Sequence, residues 1–246
     1  MSRPVGVVFD LDGVLVDSEH LWEQGWTAVA AASGREWTGA DTAACQGKST
    51  PEWAAHLARL TSRPAPDAAR EVIASVIGAH EAGQAPLMPG ARRLVESVAA
   101  RVPVALASSA PRALIDVVMQ RTGLGALFGA TVSSAEVARG KPNPDVYREA
   151  VRRLGIDAAG SHAVEDSSNG VRAAAAAGLG VIAVPTPRYP LDADAARRAR
   201  RVVGDRDGVL AVLLSLLDPG GSPAQAVGST APIPRTAGGG PTADGG

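Results

Sequence analysis

Two carboxylates separated by one residue stand at the end of the first apolar run of the chain, in Phe9-Asp10-Leu11-Asp12-Gly13-Val14. Acids often close strands and Asp-Gly often turns, so the pair alone fits a turn as well as a site. Other run ends add to it. Ser108 and Ser109 follow the run Val102–Ala107, and Glu165 and Asp166 follow His162–Val164. Lys141 sits in the loop Gly140-Lys141-Pro142-Asn143-Pro144, ahead of a helical stretch. The chain carries 22 arginines but only two lysines, Lys48 and Lys141, so each lysine departs from its ordinary choice of cation. In a parallel sheet the strand C-termini lie along one edge, which lets these groups converge. Acids gathered there repel one another and need a cation. Carboxylate oxygens with open positions suit Mg²⁺, which keeps several waters and also binds phosphate.

Bringing these groups to one edge is the task of the elements between them. Short β-branched runs recur at Val5–Phe9, Val102–Ala107, Thr131–Ser133, His162–Val164 and Val181–Val184. Their lack of polar alternation predicts strands buried on both faces. Helix-like stretches alternate with them: Pro111–Arg121, with Ser109 as its cap; Pro144–Leu154, which opens on proline and stops at Gly155; and alanine-rich Gly170–Ala177. This alternation predicts an α/β fold on a doubly wound, Rossmann-like parallel sheet. Residues 17–87 break the rhythm. They read as helices, for instance His20–Ala32, Pro51–Leu60 and Asp67–Gly83, and hold all four tryptophans (Trp22, Trp26, Trp37, Trp53), which read as the core of a small helical unit. The insert leaves after the first strand and returns near Met88-Pro89-Gly90. It would therefore sit over that strand's C-terminal end, where open α/β sheets bind ligands. The expected organisation is an α/β core of residues 1–16 and 88–217 and an inserted helical domain over 17–87. Residues 218–246, rich in Gly and Pro, read as a disordered tail without the apolar surface to offset its ordering entropy.

Composition narrows the partners. The chain has 246 residues and is 46% hydrophobic, enough to bury a core without staples. With 24 basic and 25 acidic residues it has no basic excess to draw nucleic acid or an anionic membrane. Its one cysteine, Cys45, can build neither an internal disulfide nor a cysteine-based zinc site, and reads as a small buried apolar residue. The longest apolar run, Ala173 to Val184, falls well short of the ~20 residues that cross a bilayer. Asp10 and Asp12 come too early to leave room for a signal peptide. The expectation is a cytoplasmic protein with no membrane, no nucleic acid and no obligate protein partner. His56, His80 and His162 lack metal-ligand spacing, and Gly170–Gly180 lacks the glycine spacing of dinucleotide sites.

Taken in order, Asp10-x-Asp12-Gly-Val, Ser108, Lys141 in its Gly-Lys-Pro loop, and Glu165-Asp166-Ser167 resemble the four motifs of the haloacid dehalogenase superfamily, over about Val5 to Leu217. The insert resembles the helical cap of the β-phosphoglucomutase-like and phosphoglycolate-phosphatase-like branch. The resemblance implies that Asp10 is a nucleophile forming an aspartyl-phosphate. Asp12 would be the general acid for the leaving oxygen, then the base for water, with its main-chain carbonyl on the metal. Ser108 and Ser109 would bind phosphoryl oxygens, and Lys141 would neutralise charge there. Mg²⁺ would be held by Asp10, Asp12, Glu165 and Asp166. A compact ammonium suits that task better than a broad guanidinium, which accounts for a lysine in an arginine-rich chain. Relatives that cleave carbon–halogen or carbon–phosphorus bonds lack the second acid. Asp12 therefore favours an ester oxygen as leaving group.

Mutases of this branch hand the phosphoryl group to a second sugar hydroxyl. Their cap carries a histidine near the acid–base group and an arginine that grips a second phosphate. The matching places here hold Trp22 and Thr50. His20, two residues earlier on a helix, should face another way. Lys48 remains a candidate substrate contact. The expected function is a Mg²⁺-dependent phosphatase acting on a small phosphorylated metabolite. A β-phosphoglucomutase-like isomerase and a non-catalytic binding protein of the same fold are the alternatives.

Overall fold

The structure is a computed structural model, in which residues 3–218 are described; the tail expected over 218–246 lies, after its first residue, outside them. Six strands form one parallel sheet: β1 (Val7–Phe9), β2 (Val104–Ser108), β3 (Ala130–Ser133), β4 (His162–Glu165), β5 (Gly180–Ala183) and β6 (Arg201–Val202). Their order across the sheet is β3-β2-β1-β4-β5-β6. Phe9 is in register with Leu106 on one side and Val164 on the other, so β1 lies at the centre.

Side chains of a strand alternate between faces, and here both faces are apolar. Val7 and Phe9 enter one layer with Leu94, Leu114 and Leu213, whereas Val8 enters the other with Val146, Tyr147 and Val171. The first layer is roofed by α5 (Ala91–Ala99), α6 (Arg112–Thr122) and α10 (Arg206–Leu217). The second is roofed by α7 (Asp145–Leu154), α8 (Ser168–Ala176) and α9 (Ala193–Arg198). The doubly wound α/β expectation therefore holds.

Some elements escaped the pattern reading. Strand β6 is two exposed residues at the sheet edge, too short for an apolar run. Helices α5, α9 and α10 were not anticipated either. In α10 the start is set by Asp205, whose side chain accepts from the N–H of Gly208 at 2.7 Å. Ser109 does not cap α6. That helix starts after Pro111 without a side-chain cap, and the Ser109 hydroxyl donates instead to the Gly47 carbonyl at 2.8 Å.

Between β1 and α5 lie four helices, α1 (Glu19–Ala32), α2 (Gly39–Cys45), α3 (Thr50–Thr61) and α4 (Ala65–Glu81). Helix α2 was not foreseen; it opens on a capping box of Thr38 and Asp41. The two chain crossings that lead in and out run side by side. The N–H of Met88 donates to Leu15 O and that of Asp17 to Pro86 O, both at 2.9 Å. The tryptophans meet edge-on or tilted, with ring centroids 6.2 Å apart for Trp22–Trp26, 6.0 Å for Trp22–Trp53 and 5.6 Å for Trp26–Trp37. Such pairs add about 0.5–1.5 kcal/mol each beyond the area they bury. Trp26 touches all three others. Trp26→Ala is expected to cost about 3–5 kcal/mol of stability in urea unfolding; a loss below about 1 kcal/mol would show that the cluster does not hold the four helices together.

Candidate active site

In this strand order the chain moves outward in one direction from β1 and in the other from β4. The loops beyond these two strands therefore part and leave a crevice at their C-terminal ends. Asp10 follows β1, and its N–H donates to Val164 O on β4 at 3.0 Å. Glu165 ends β4 and Asp166 follows it. The loop before α7 delivers Lys141, only 1% exposed, between the two strands. Its Nζ lies 2.6 Å from Asp10 Oδ1 and 2.6 Å from Glu165 Oε1.

Glu165 is held from every side. The Tyr147 hydroxyl donates to Oε1 at 2.7 Å. Oε2 accepts from the N–H of Asp166 at 3.1 Å, from the N–H of Ser167 at 3.2 Å and from the Ser167 hydroxyl at 3.1 Å. Helix α8 can lie this close only because residue 170 is glycine; a Cβ there would overlap the Glu165 carboxylate. Gly13 plays the same part for Asp166. Its φ of +70° is a left-handed conformation, and a Cβ on it would overlap the Asp166 carboxylate.

Charge sets the protonation balance. Burial would lower the Lys141 pKa, but Asp10 and Glu165 more than offset it and hold the ammonium above its ordinary range. Burial pushes the Asp10 carboxyl well up, with Lys141 opposing and Glu165 and Asp12 adding repulsion. Asp166 is raised likewise by burial, then by Glu19, Glu165 and Asp10. Glu19, at the start of α1, is raised to about 7 by burial, against a hydrogen bond from Gln46. Burial first, and then mutual repulsion, oppose a full set of charged carboxylates, with one ammonium set against them.

A divalent cation fits that deficit. Asp10, Glu165 and Asp166 each offer an oxygen within 4.8 Å of the others. Asp166 Oδ2 is buried without any hydrogen-bond partner. A set of hard oxygens around one orphaned carboxylate oxygen suits Mg²⁺. The Asp12 side chain lies outside this group. Its Oδ1 accepts from the Ser18 hydroxyl at 2.5 Å and from Trp22 Nε1 at 2.9 Å.

The remaining expected residues divide. Ser108 is fully buried, and its hydroxyl oxygen accepts from the N–H of Ala110 at 3.0 Å. Ser109 and Lys48 line a cavity whose floor holds Asp10, Asp12 and Lys141 and whose wall holds Trp22, Trp26 and Trp53. His20 does not line it; the ring lies 3.5 Å from Asp17. Cys45 does, as a buried neutral thiol whose pKa burial pushes up to about 12. Residues 46–49 lie directly on the sheet edge. Asn169 Nδ2 donates to Gln46 O at 2.8 Å, and a Cβ on Gly47 would come within 2.6 Å of Ser167 Oγ.

Two site residues carried no signal in the sequence, and a third only a partial one. The resemblance set Trp22 at the place of a histidine near the acid–base group, but Trp22 read as core and nothing local showed its indole N–H aimed at Asp12. Tyr147 is one of two tyrosines in the chain, unmarked by any motif. Arg206, buried on α10, donates through Nε to Val14 O at 3.1 Å and through a terminal nitrogen to Gly13 O. It thereby fixes the turn next to Asp12.

A family model of haloacid dehalogenase-like hydrolases matches residues 5–178. The bifunctional riboflavin kinase/FMN phosphatase of Arabidopsis thaliana is 34% identical over 73% of this chain, which spans 48% of that longer protein. Hexitol phosphatase B of Escherichia coli is 32% identical over 78% of this chain and 90% of its own length. The crystal structure of CbbY from Rhodobacter sphaeroides in complex with phosphate covers 89% of this chain and 100% of that one, with a TM-score of 0.73 and 27% identity.

Gly170→Ala tests the seat of Glu165. Displacing that carboxylate leaves Lys141 short of a buried partner, so a loss of about 3–5 kcal/mol is expected in denaturant unfolding. Unchanged stability would mean that Glu165 is not held as described.

Proposed function

The chain belongs to the haloacid dehalogenase-like hydrolases, and from that premise we propose a Mg²⁺-dependent phosphatase that hydrolyses a small phosphate monoester through phospho-Asp10. The observation that carries this reading is Lys141 Nζ, 2.6 Å from both Asp10 and Glu165 on the floor of a covered cavity. An ammonium so placed quiets the charge of an attacking carboxylate and can reach a phosphoryl oxygen as well.

The Asp10 carboxylate attacks phosphorus, and the bond from phosphorus to the ester oxygen breaks as the Asp10–phosphorus bond forms. Asp12 gives its proton to the departing oxygen. It then takes a proton from water, which attacks phosphorus and frees Asp10 and inorganic phosphate. Asp10, Asp166 and the Asp12 main-chain carbonyl would hold Mg²⁺, with Glu165 directly or through water, and the ion would supply the positive charge that lets one anion approach another. At the end of β2 the Ser108 hydroxyl, which accepts from the N–H of Ala110, keeps its proton for a phosphoryl oxygen, whereas Ser109 spends its own on the Gly47 carbonyl. Ser18 and Trp22 occupy Oδ1 of Asp12, which leaves Oδ2 to carry the proton. An indole N–H only donates, so Trp22 stabilises the carboxylate without exchanging protons with it.

We assign residues 17–87 the role of a cap. It hinges at the paired crossings beside Leu15 and Met88, closes to exclude water during transfer to Asp10, and opens for product. The names of the relatives, a hexitol phosphatase and an FMN phosphatase among them, support a small phosphorylated metabolite as substrate.

The direct test is phosphate release from p-nitrophenyl phosphate and a panel of phosphorylated metabolites. EDTA should abolish it and added Mg²⁺ restore it, and Asp10→Asn should lower kcat by about 10⁴-fold or more. Metal-independent turnover, or an Asp10→Asn protein as active as the parent, would refute the mechanism. Trp22→Phe keeps a six-membered aromatic ring and deletes one donor to a charged group. A fall in kcat of about 10- to 100-fold with KM little changed is expected from that bond alone; a rise confined to KM would instead make Trp22 a substrate contact.

A further inference from the structure

The Asp12 carboxylate is oriented by Trp22, and Trp22 sits on α1, so the seating of that helix bears on the reaction. Glu23, the next residue of α1, does not line the cavity, yet it fastens the helix to the α/β core. Its Oε2 accepts from a terminal guanidinium nitrogen of Arg188 at 2.6 Å and from the Tyr189 hydroxyl at 2.7 Å. Its Oε1 accepts from the Thr42 hydroxyl of α2 at 3.3 Å. Burial would raise the Glu23 carboxyl, but the Tyr189 and Arg188 hydrogen bonds outweigh it and hold the group below its ordinary range. Among the described residues this is the one ion pair between residues 17–87 and the core. Two other ties across the cavity, Ser109 to Gly47 O and Asn169 to Gln46 O, are neutral and hold the loop between α2 and α3 instead of α1.

The donors to Glu23 come from a stiff turn. Beyond β5 the chain runs Pro185-Thr186-Pro187-Arg188-Tyr189-Pro190. The Tyr189 N–H donates to Thr186 O at 3.1 Å, which closes a four-residue turn with Pro187 at its second place, where a fixed φ suits it. The Arg188 guanidinium lies over the Tyr189 ring, 5.5 Å from its centroid, so the two donors are held together. With Arg188 65% exposed, the pair adds little to stability. Several donors converging on one carboxylate do fix geometry. Successive residues of a helix point about 100° apart, so a turn of α1 about its axis that released Glu23 would also carry the Trp22 N–H off Asp12. Resting on the phosphatase reading, we propose that Glu23 is a positioning residue for the general acid: clamped by the Arg188–Tyr189 turn, it seats α1 over the site and thereby keeps the Trp22 bond to Asp12.

The test compares two esters that differ in their need for an acid. Phenol, with a pKa of about 10, leaves well only as it takes a proton, whereas p-nitrophenolate departs as the anion. Glu23→Gln keeps the shape of the side chain and removes its charge. Its kcat/KM for phenyl phosphate should fall about fivefold or more, the scale of a hydrogen bond to a charged group discounted for exposure. The fall for p-nitrophenyl phosphate should be smaller, so the ratio of the two drops. The double substitution Arg188→Gln, Tyr189→Phe should reproduce that loss, and adding Glu23→Gln to it should lower the rate no further. Acrylamide should quench tryptophan fluorescence more strongly in each variant, because Trp22, Trp26 and Trp53 line the cavity that α1 covers. The urea midpoint should stay near that of the parent. Equal losses on both esters, losses that multiply when the substitutions are combined, or unchanged quenching would each overturn the proposal. The phosphatase reading would survive any of these while the parent still released phosphate. A parent protein inert on both esters would remove both.

Discussion

One buried ammonium group holds this structure's site together. Lys141 Nζ, shielded from water, bridges a carboxylate after β1 and another at the end of β4. Bringing that charge out of water is costly, and only two close carboxylates make it tolerable. The arrangement does not close electrically. With Asp166 counted and all ionised, three carboxylates face one ammonium, leaving two negative charges, the charge a divalent ion carries. The pKa values of Asp10 and Asp166 are raised first by burial and further by the neighbouring carboxylates.

The helical insert adds the second half of the site. Its contribution is short-range: the Trp22 donor to Asp12, the Gln46 and Gly47 carbonyls taken by Asn169 and Ser109, and the indole wall. The element that covers the cavity therefore also fixes the Asp12 carboxylate. The tryptophans thereby serve two ends. They are the apolar centre of a four-helix unit and, on its lower side, part of the cavity wall.

Much of this was legible in the residues. The strand-end positions of Asp10, Glu165 and Asp166 are local consequences of short apolar runs, and a parallel sheet brings such ends together. The rarity of lysine marked Lys141. What escaped depends on geometry that no short window contains. Trp22 and Asp12 meet through the phase of α1 as it leaves the crossing, and Arg206 reaches residue 13 from 193 positions away. Ser109 looked like a helix cap because hydroxyls before helices often are; a cap-loop carbonyl competed for its proton and won. Strand β6 has no apolar signature because it forms at an edge, by pairing with β5 alone.

Arg206 has a consequence for how faults would spread through the molecule. Its guanidinium holds the Gly13 and Val14 carbonyls from a helix far along the chain. Fraying of α10 would therefore release the turn beside Asp12, although no residue of that helix lines the cavity. A change made on the outside of the sheet is felt at the strand end that carries Asp10 and Asp12.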